Sequence, residues 1–156
     1  MPEVTLDTVL RQMLAVLLEA FAGPPEAWSY FVDNDPSAGY SGTLAKVSAA
    51  DASRLIGGSM IAAHVDHMIF ALEASSAWIR NDRSSRNWSE SWRTTSADEK
   101  EWAALRAGLQ AAYTDLAEAI QSCAGTSEDS IGGAIGALAH AAYHLGAIRQ
   151  KIVCRR

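Results

Sequence analysis

The chain lacks the features that mark several large functional classes. It has no basic block apart from the terminal Arg155-Arg156 pair, and 13 Lys and Arg against 18 Asp and Glu leave a net charge of −5. Nucleic-acid binders carry a basic stripe that neutralises phosphates, so no nucleic-acid partner is expected. No apolar stretch reaches the roughly 18 residues that a membrane-spanning helix needs, so no membrane association is expected. The segment Met1 to Arg11 carries Glu3 and Asp7 within an amphipathic pattern. A signal peptide would show a basic start and a solid apolar core instead. These absences predict a cytoplasmic protein. Cysteine is scarce too. Cys123 and Cys154 form no C-x-x-C motif and read as two free thiols near helix ends. Runs of β-branched residues are few and alanine dominates, which disfavours a sheet.

What is present fits an all-α domain. The 156 residues, 49% of them hydrophobic, suit one domain over 1–156 with a core of its own. Leu6, Val9, Leu10, Met13, Val16, Leu17 and Phe21 recur at helical spacing, with Thr5 or Asp7 as the cap and Gly23-Pro24-Pro25 as the stop. Residues 24 to 57 form a long connection that holds Trp28, Tyr30, Phe31 and Tyr40. Within it the pattern predicts a short helix over Thr43 to Val47, and a capping box at Ser48 and Asp51 opens a turn through Arg54. A second long helix is predicted from near Ser59 to Ile79, with Ile61, Val65, Met68, Leu72 and Ile79 on one stripe. A third follows a capping box at Ser96 and Glu99 and ends near Cys123. It carries Trp102, Leu105, Leu109, Ala112, Leu116 and Ile120. A fourth runs from Ser127 or Asp129 to Val153, with Ile131, Ile135, Leu138, Ala142, Leu145 and Ile152 as its apolar side. Four long amphipathic helices predict a four-helix bundle whose long first connection crosses one end.

The four histidines fall as two pairs. His64 and His67 stand at i, i+3 on the second long helix, and His140 and His144 at i, i+4 on the fourth. Each spacing places two imidazoles on one helix face, a turn apart. A pair at i, i+4 chelates a metal from a single helix, and an imidazole from a facing helix completes three nitrogen ligands with one position open. Zinc, nickel, iron and manganese all accept such a set. The spacing does not choose between His64 and His67. Gly133, Gly136, Ala137, Ala141 and Ala147 are small and leave room near His140 and His144.

Three passages resemble the DinB superfamily of DinB/YfiT-like metalloenzymes. They are Gly58-Ser-Met-Ile-Ala-Ala-His64-Val-Asp-His67-Met, then Trp88-Ser-Glu-Ser-Trp92 with Trp102-Ala-Ala-Leu105-Arg106, and His140-Ala-Ala-Tyr-His144-Leu-Gly-Ala-Ile-Arg149-Gln150. The last is similar to a closing His-x-x-x-His-x-Gly-x-Ile signature. The resemblance implies a four-helix bundle with a three-histidine site, matched here by His140, His144 and, best on the second long helix, His67, with His64 as its neighbour. It implies a divalent metal, zinc or nickel before iron or manganese, and a homodimer. It further implies a metal-dependent thiol transferase or hydrolase acting on a small molecule with a low-molecular-weight thiol. The alternative is a non-catalytic metal-binding or stress-response protein of the same fold. Asp66, Glu73, Tyr143 and Arg149 are the candidate helpers, and Trp88 and Trp92 are candidate walls of a pocket.

Overall fold

The computed structural model describes residues 3–26 and 28–154. The basic pair Arg155-Arg156 lies outside them. The chain is all-α, with no strand among the described residues. Its helices are α1 (Leu6–Ala22), α2 (Tyr40–Ala45), α3 (Ala49–Ala52), α4 (Ile61–Ile79), α5 (Glu99–Cys123) and α6 (Glu128–Cys154), and a 3-10 turn covers Trp88–Trp92. α4 packs along both α5 and α6, and α1 closes the opposite side against the same two helices. One core draws on all of them, including Leu17 and Phe21 of α1, Val65 and Met68 of α4, Leu116 and Ile120 of α5, and Leu145 and Ile148 of α6.

Thr5 caps α1 by accepting from the Thr8 N–H, and Gly23 ends it. At φ +90°, a Cβ on Gly23 would lie 2.1 Å from the Pro36 carbonyl oxygen, so only glycine fits this stop. The long connection is ordered by burying polar groups in pairs. The Glu19 carboxylate, 2% exposed, accepts from the Ser29 hydroxyl and from the N–H groups of Tyr30 (2.8 Å), Phe31 (3.0 Å) and Val32 (3.1 Å). Burial opposes its ionisation, but these four donors outweigh that cost and hold its pKa below the usual carboxylate value. Tyr40 donates to the Ala141 carbonyl at 2.8 Å, and the Trp102 indole donates to the Val47 carbonyl at 2.8 Å. Both rings are buried and both bonds fasten the connection to the long helices.

Several boundaries differ from the sequence expectation. The first short helix is Tyr40–Ala45 rather than Thr43 to Val47, because buried Tyr40 is anchored on α6 and takes the first turn with it. Ser48 does cap α3, but that helix ends at Ala52, short of Arg54. α4 begins at Ile61 because Gly57 and Gly58 adopt positive φ and Ile56 bridges Ser59. The capping box of α5 is Asp98 with Glu101, not Ser96 with Glu99. Ser53 holds Ala97 extended, accepting its N–H at 2.8 Å and donating to its carbonyl at 3.2 Å, which delays the helix by two residues.

The largest correction concerns α6. Its buried side is Ala134, Ala137, Ala141, His144, Leu145, Ile148 and Lys151, while Ile135 is 54% exposed. The small residues face the core because α4 approaches closely. A Cβ on Gly133 would lie 2.8 Å from the Trp78 ring. By length and composition alone, α6 is apolar enough to cross a membrane, with mean hydropathy 1.3 and 33% of that window buried, a test that a core helix also passes. Cys123 and Cys154 are free, as expected.

Replacing Glu19 with alanine strands the Tyr30 N–H and the Ser29 hydroxyl, while the Phe31 and Val32 N–H groups keep Ser29 Oγ at 3.1 and 2.9 Å, so chemical denaturation should show a loss of about 1–3 kcal/mol. A change within 0.5 kcal/mol would refute the clamp.

Candidate metal centre

α4 and α6 run antiparallel, and their histidine pairs face one another across the interface. His67, His140 and His144 each offer one ring nitrogen such that all three lie within 4.8 Å of one another. They are close enough to hold one metal ion. The Nε2 atoms of His67 and His140 are 3.1 Å apart. Two nitrogens on a tetrahedral zinc at about 2.0–2.1 Å stand about 3.3 Å from each other, so this edge already has the right length.

Hydrogen bonds beyond the triad orient its rings. Ser91 donates its hydroxyl to the Trp88 carbonyl at 2.8 Å, so toward His67 it can only accept, and His67 Nδ1–H donates to it at 2.9 Å. That assignment leaves the His67 Nε2 lone pair facing His140. On the other side His64 and His144 share a bond between their Nδ1 atoms at 2.8 Å, and His64 Nε2 meets the Ser59 hydroxyl at 3.0 Å. His144 therefore keeps Nε2 for the centre. Lys151 Nζ holds the turn that carries Ser59, donating to the carbonyls of Ile56 and Ser59 (3.1 Å for the latter).

Aromatic rings close the site. Trp92 lies flat against His67, with centroids 4.3 Å apart at 15°, and edge-on to His64 at 5.1 Å. Tyr143 stands edge-on to His144 at 5.0 Å.

Burial pushes all four histidines toward the neutral form. It lowers His64 to about 4, helped by the charges of Lys151 and His67, and His144 to about 3, helped by the neighbouring imidazoles. His67 is lowered by burial and by His140, against an opposing pull from Asp66, and His140 is lowered by burial. Neutral imidazoles are the form that ligates metals. The donor set thus suits a metal ion that accepts nitrogen ligands, in number, proximity and protonation.

The structure sorts the remaining candidates. His64 sits behind His144 rather than in the triad. Asp66 accepts from the Thr94 hydroxyl at 2.8 Å. Glu73 is exposed on α4. Tyr143 is at the rim, 71% exposed. Arg149 pairs with Asp33 and donates to the Val32 carbonyl at 3.3 Å, so it serves the long connection. The small residues do not all leave room for an ion. Gly133 accommodates Trp78, Gly136 is exposed, and Ala137 and Ala141 are core. Ser91 and Ser59, which hydrogen-bond His67 and His64, are members of the cluster that the sequence pattern did not single out. Both lay inside the quoted passages, but serine carries no spacing signal of its own.

Compared with known proteins, the chain matches no family model, no curated sequence and no solved structure, so the chemistry of the site rests on its own residues.

In an unfolded chain these histidines titrate near the ordinary imidazole value of 6.5, whereas burial lets the folded protein resist protonation until lower pH. Between those limits the unfolded state binds more protons, so stability is complete above about pH 6.5 and is lost as pH falls toward 4. In chelator, the thermal midpoint should hold level above pH 7 and drop steadily below 6.5. A level profile down to pH 5 would contradict the buried neutral cluster.

Proposed function

We propose that this chain is a divalent-metal protein of the DinB kind, built as a four-helix bundle from α1, α4, α5 and α6. His67 of α4 and His140 and His144 of α6 are the ligands, with zinc or nickel as the ion. The observation that carries this reading is the triad of neutral imidazoles on two facing helices, two of them with their second nitrogen already held by Ser91 and His64. A metal site needs that outer layer of hydrogen bonds as much as the ligands themselves, because it sets tautomer and ring angle.

Three protein nitrogens leave a coordination position open, the pattern of catalytic rather than closed structural sites. Bound there, a divalent ion supplies Lewis acidity and lowers the pKa of a water or thiol placed in the open position. The chain's own residues do the rest. Ser91 fixes His67, the Ser59–His64 pair fixes His144, and Trp92 shields His67 from water. Half-buried His140 borders the opening and is the ligand nearest to solvent. This arrangement supports a hydrolase or a thiol-dependent transferase, and the resemblance brings with it a cytoplasmic homodimer. Turnover of thiol and electrophile pairs or of esters, abolished by chelation, separates the enzyme from a non-catalytic carrier.

Elemental analysis of protein purified without a histidine tag should give one ion per chain. His67→Ala, His140→Ala and His144→Ala should each abolish stoichiometric binding. His64→Ala should weaken affinity by about 10- to 100-fold, the usual cost of losing a residue that orients a ligand, and His64→Asn, which keeps an acceptor, should recover part of it. Unchanged metal content in the three ligand variants would overturn the site.

A further inference from the structure

Two of the three ligands are buried and His140 is half-buried, and the surface around them is rich in aromatic rings. His67 and His144 are 6% and 4% exposed, whereas Trp88 and Trp92 are 50% and 43% exposed and Tyr143 is 71% exposed. These three rings belong to one neighbourhood. Trp92 is stacked on His67, Tyr143 stands against His144, and Trp88 lies 6.4 Å from His67, braced edge-on by Phe70 at 5.1 Å. The charges beside them have partners of their own. Arg93 pairs with Glu90 at 3.8 Å, and Asp66 accepts from Thr94. Trp88 also lines a groove of about 260 Å³ with Trp78, Arg86 and Gly133.

Three large, partly exposed rings around a centre whose His67 and His144 are buried leave apolar area that a ligand would bury. Ligand sites typically combine such apolar walls with a few convergent polar groups. Here the convergent group is the histidine triad and the walls are its rim. Rigid aromatic walls favour flat rings, which they meet by stacking or edge contact, over flexible charged chains.

We propose that the rim formed by Trp88, Trp92 and Tyr143 receives a ligand with a small anionic donor head and a flat, uncharged aromatic body, the head directed to the histidine centre. The inference rests on the metal reading above and adds the ligand class to it. A peptide-like thiol bearing several charges would leave these faces wet and gain little from them.

Two hydroxamates with the same donor head test the idea on the full chain loaded with cobalt. Benzohydroxamate and acetohydroxamate are titrated separately, and visible cobalt absorption and tryptophan fluorescence are followed. Benzohydroxamate should bind about tenfold more tightly, the upper range expected of one or two aromatic contacts. In Tyr143→Ala and Trp88→Ala, with cobalt still at one per chain, the preference should fall to within about threefold. The Tyr143 ring lies mostly in solvent, so its removal leaves the fold intact. Equal affinity for the two hydroxamates in the parent protein, or a preference that survives both substitutions, would overturn the ligand class while the metal reading stands. A chain that takes up no cobalt would overturn both.

Discussion

The close antiparallel register of α4 against α6 is the constraint on which the rest depends. It is pinned at both ends. Near the end of α4, Trp78 lies over Gly133, where no side chain would fit. Ahead of its start, Lys151 near the end of α6 grips the Ile56 and Ser59 carbonyls. Between these points α6 presents alanines to the bulky side of α4, which lets the backbones approach. The histidines meet because the register is held there. A slip of one turn, about 5.4 Å, would separate every imidazole from its partner.

That register sets the electrostatics as well. Four imidazoles gathered in a dry interface cannot all be charged, since burial and their mutual repulsion both oppose it. The fold resolves this by keeping them neutral and bonding them in two short series, Ser59–His64–His144 and Ser91–His67–His140. Each series ends on a serine hydroxyl on one side and on the triad on the other. An interface that disfavours protonated imidazoles while gathering three ring nitrogens within 4.8 Å of one another is predisposed toward a cation that binds nitrogen, which would take the place of the hydrogen His67 and His140 share.

The connections complete what the helices begin. The 3-10 turn Trp88–Trp92 delivers Ser91 to His67 and lays Trp92 across it, and it packs mainly on α4. The first long connection is fastened by Glu19, Tyr40 and Trp102, whose polar atoms each find a partner in the interior. Both segments therefore act as parts of the site or the core, although neither is a long helix.

The all-α class, the four long helices and the pairing of the histidines were legible because each follows from the 3.6-residue period and from local capping chemistry. His140 and His144 share a face at about 40°, whatever surrounds them. Properties that depend on how one helix is rotated against another were not legible. His64 and His67 are about 60° apart, so only the rotation of α4 decides which one joins the triad and which stands behind it. The same holds for α6, where Leu145 of the expected stripe is buried and Leu138 and Ile152 pack against the core, but Ile135 is exposed and Ala134, Ala137 and Ala141 are buried instead. Ser91 and Ser59 gained their roles in the same way. A hydroxyl becomes an orienting group only once tertiary packing brings a buried imidazole within hydrogen-bond distance, and no local period records that meeting.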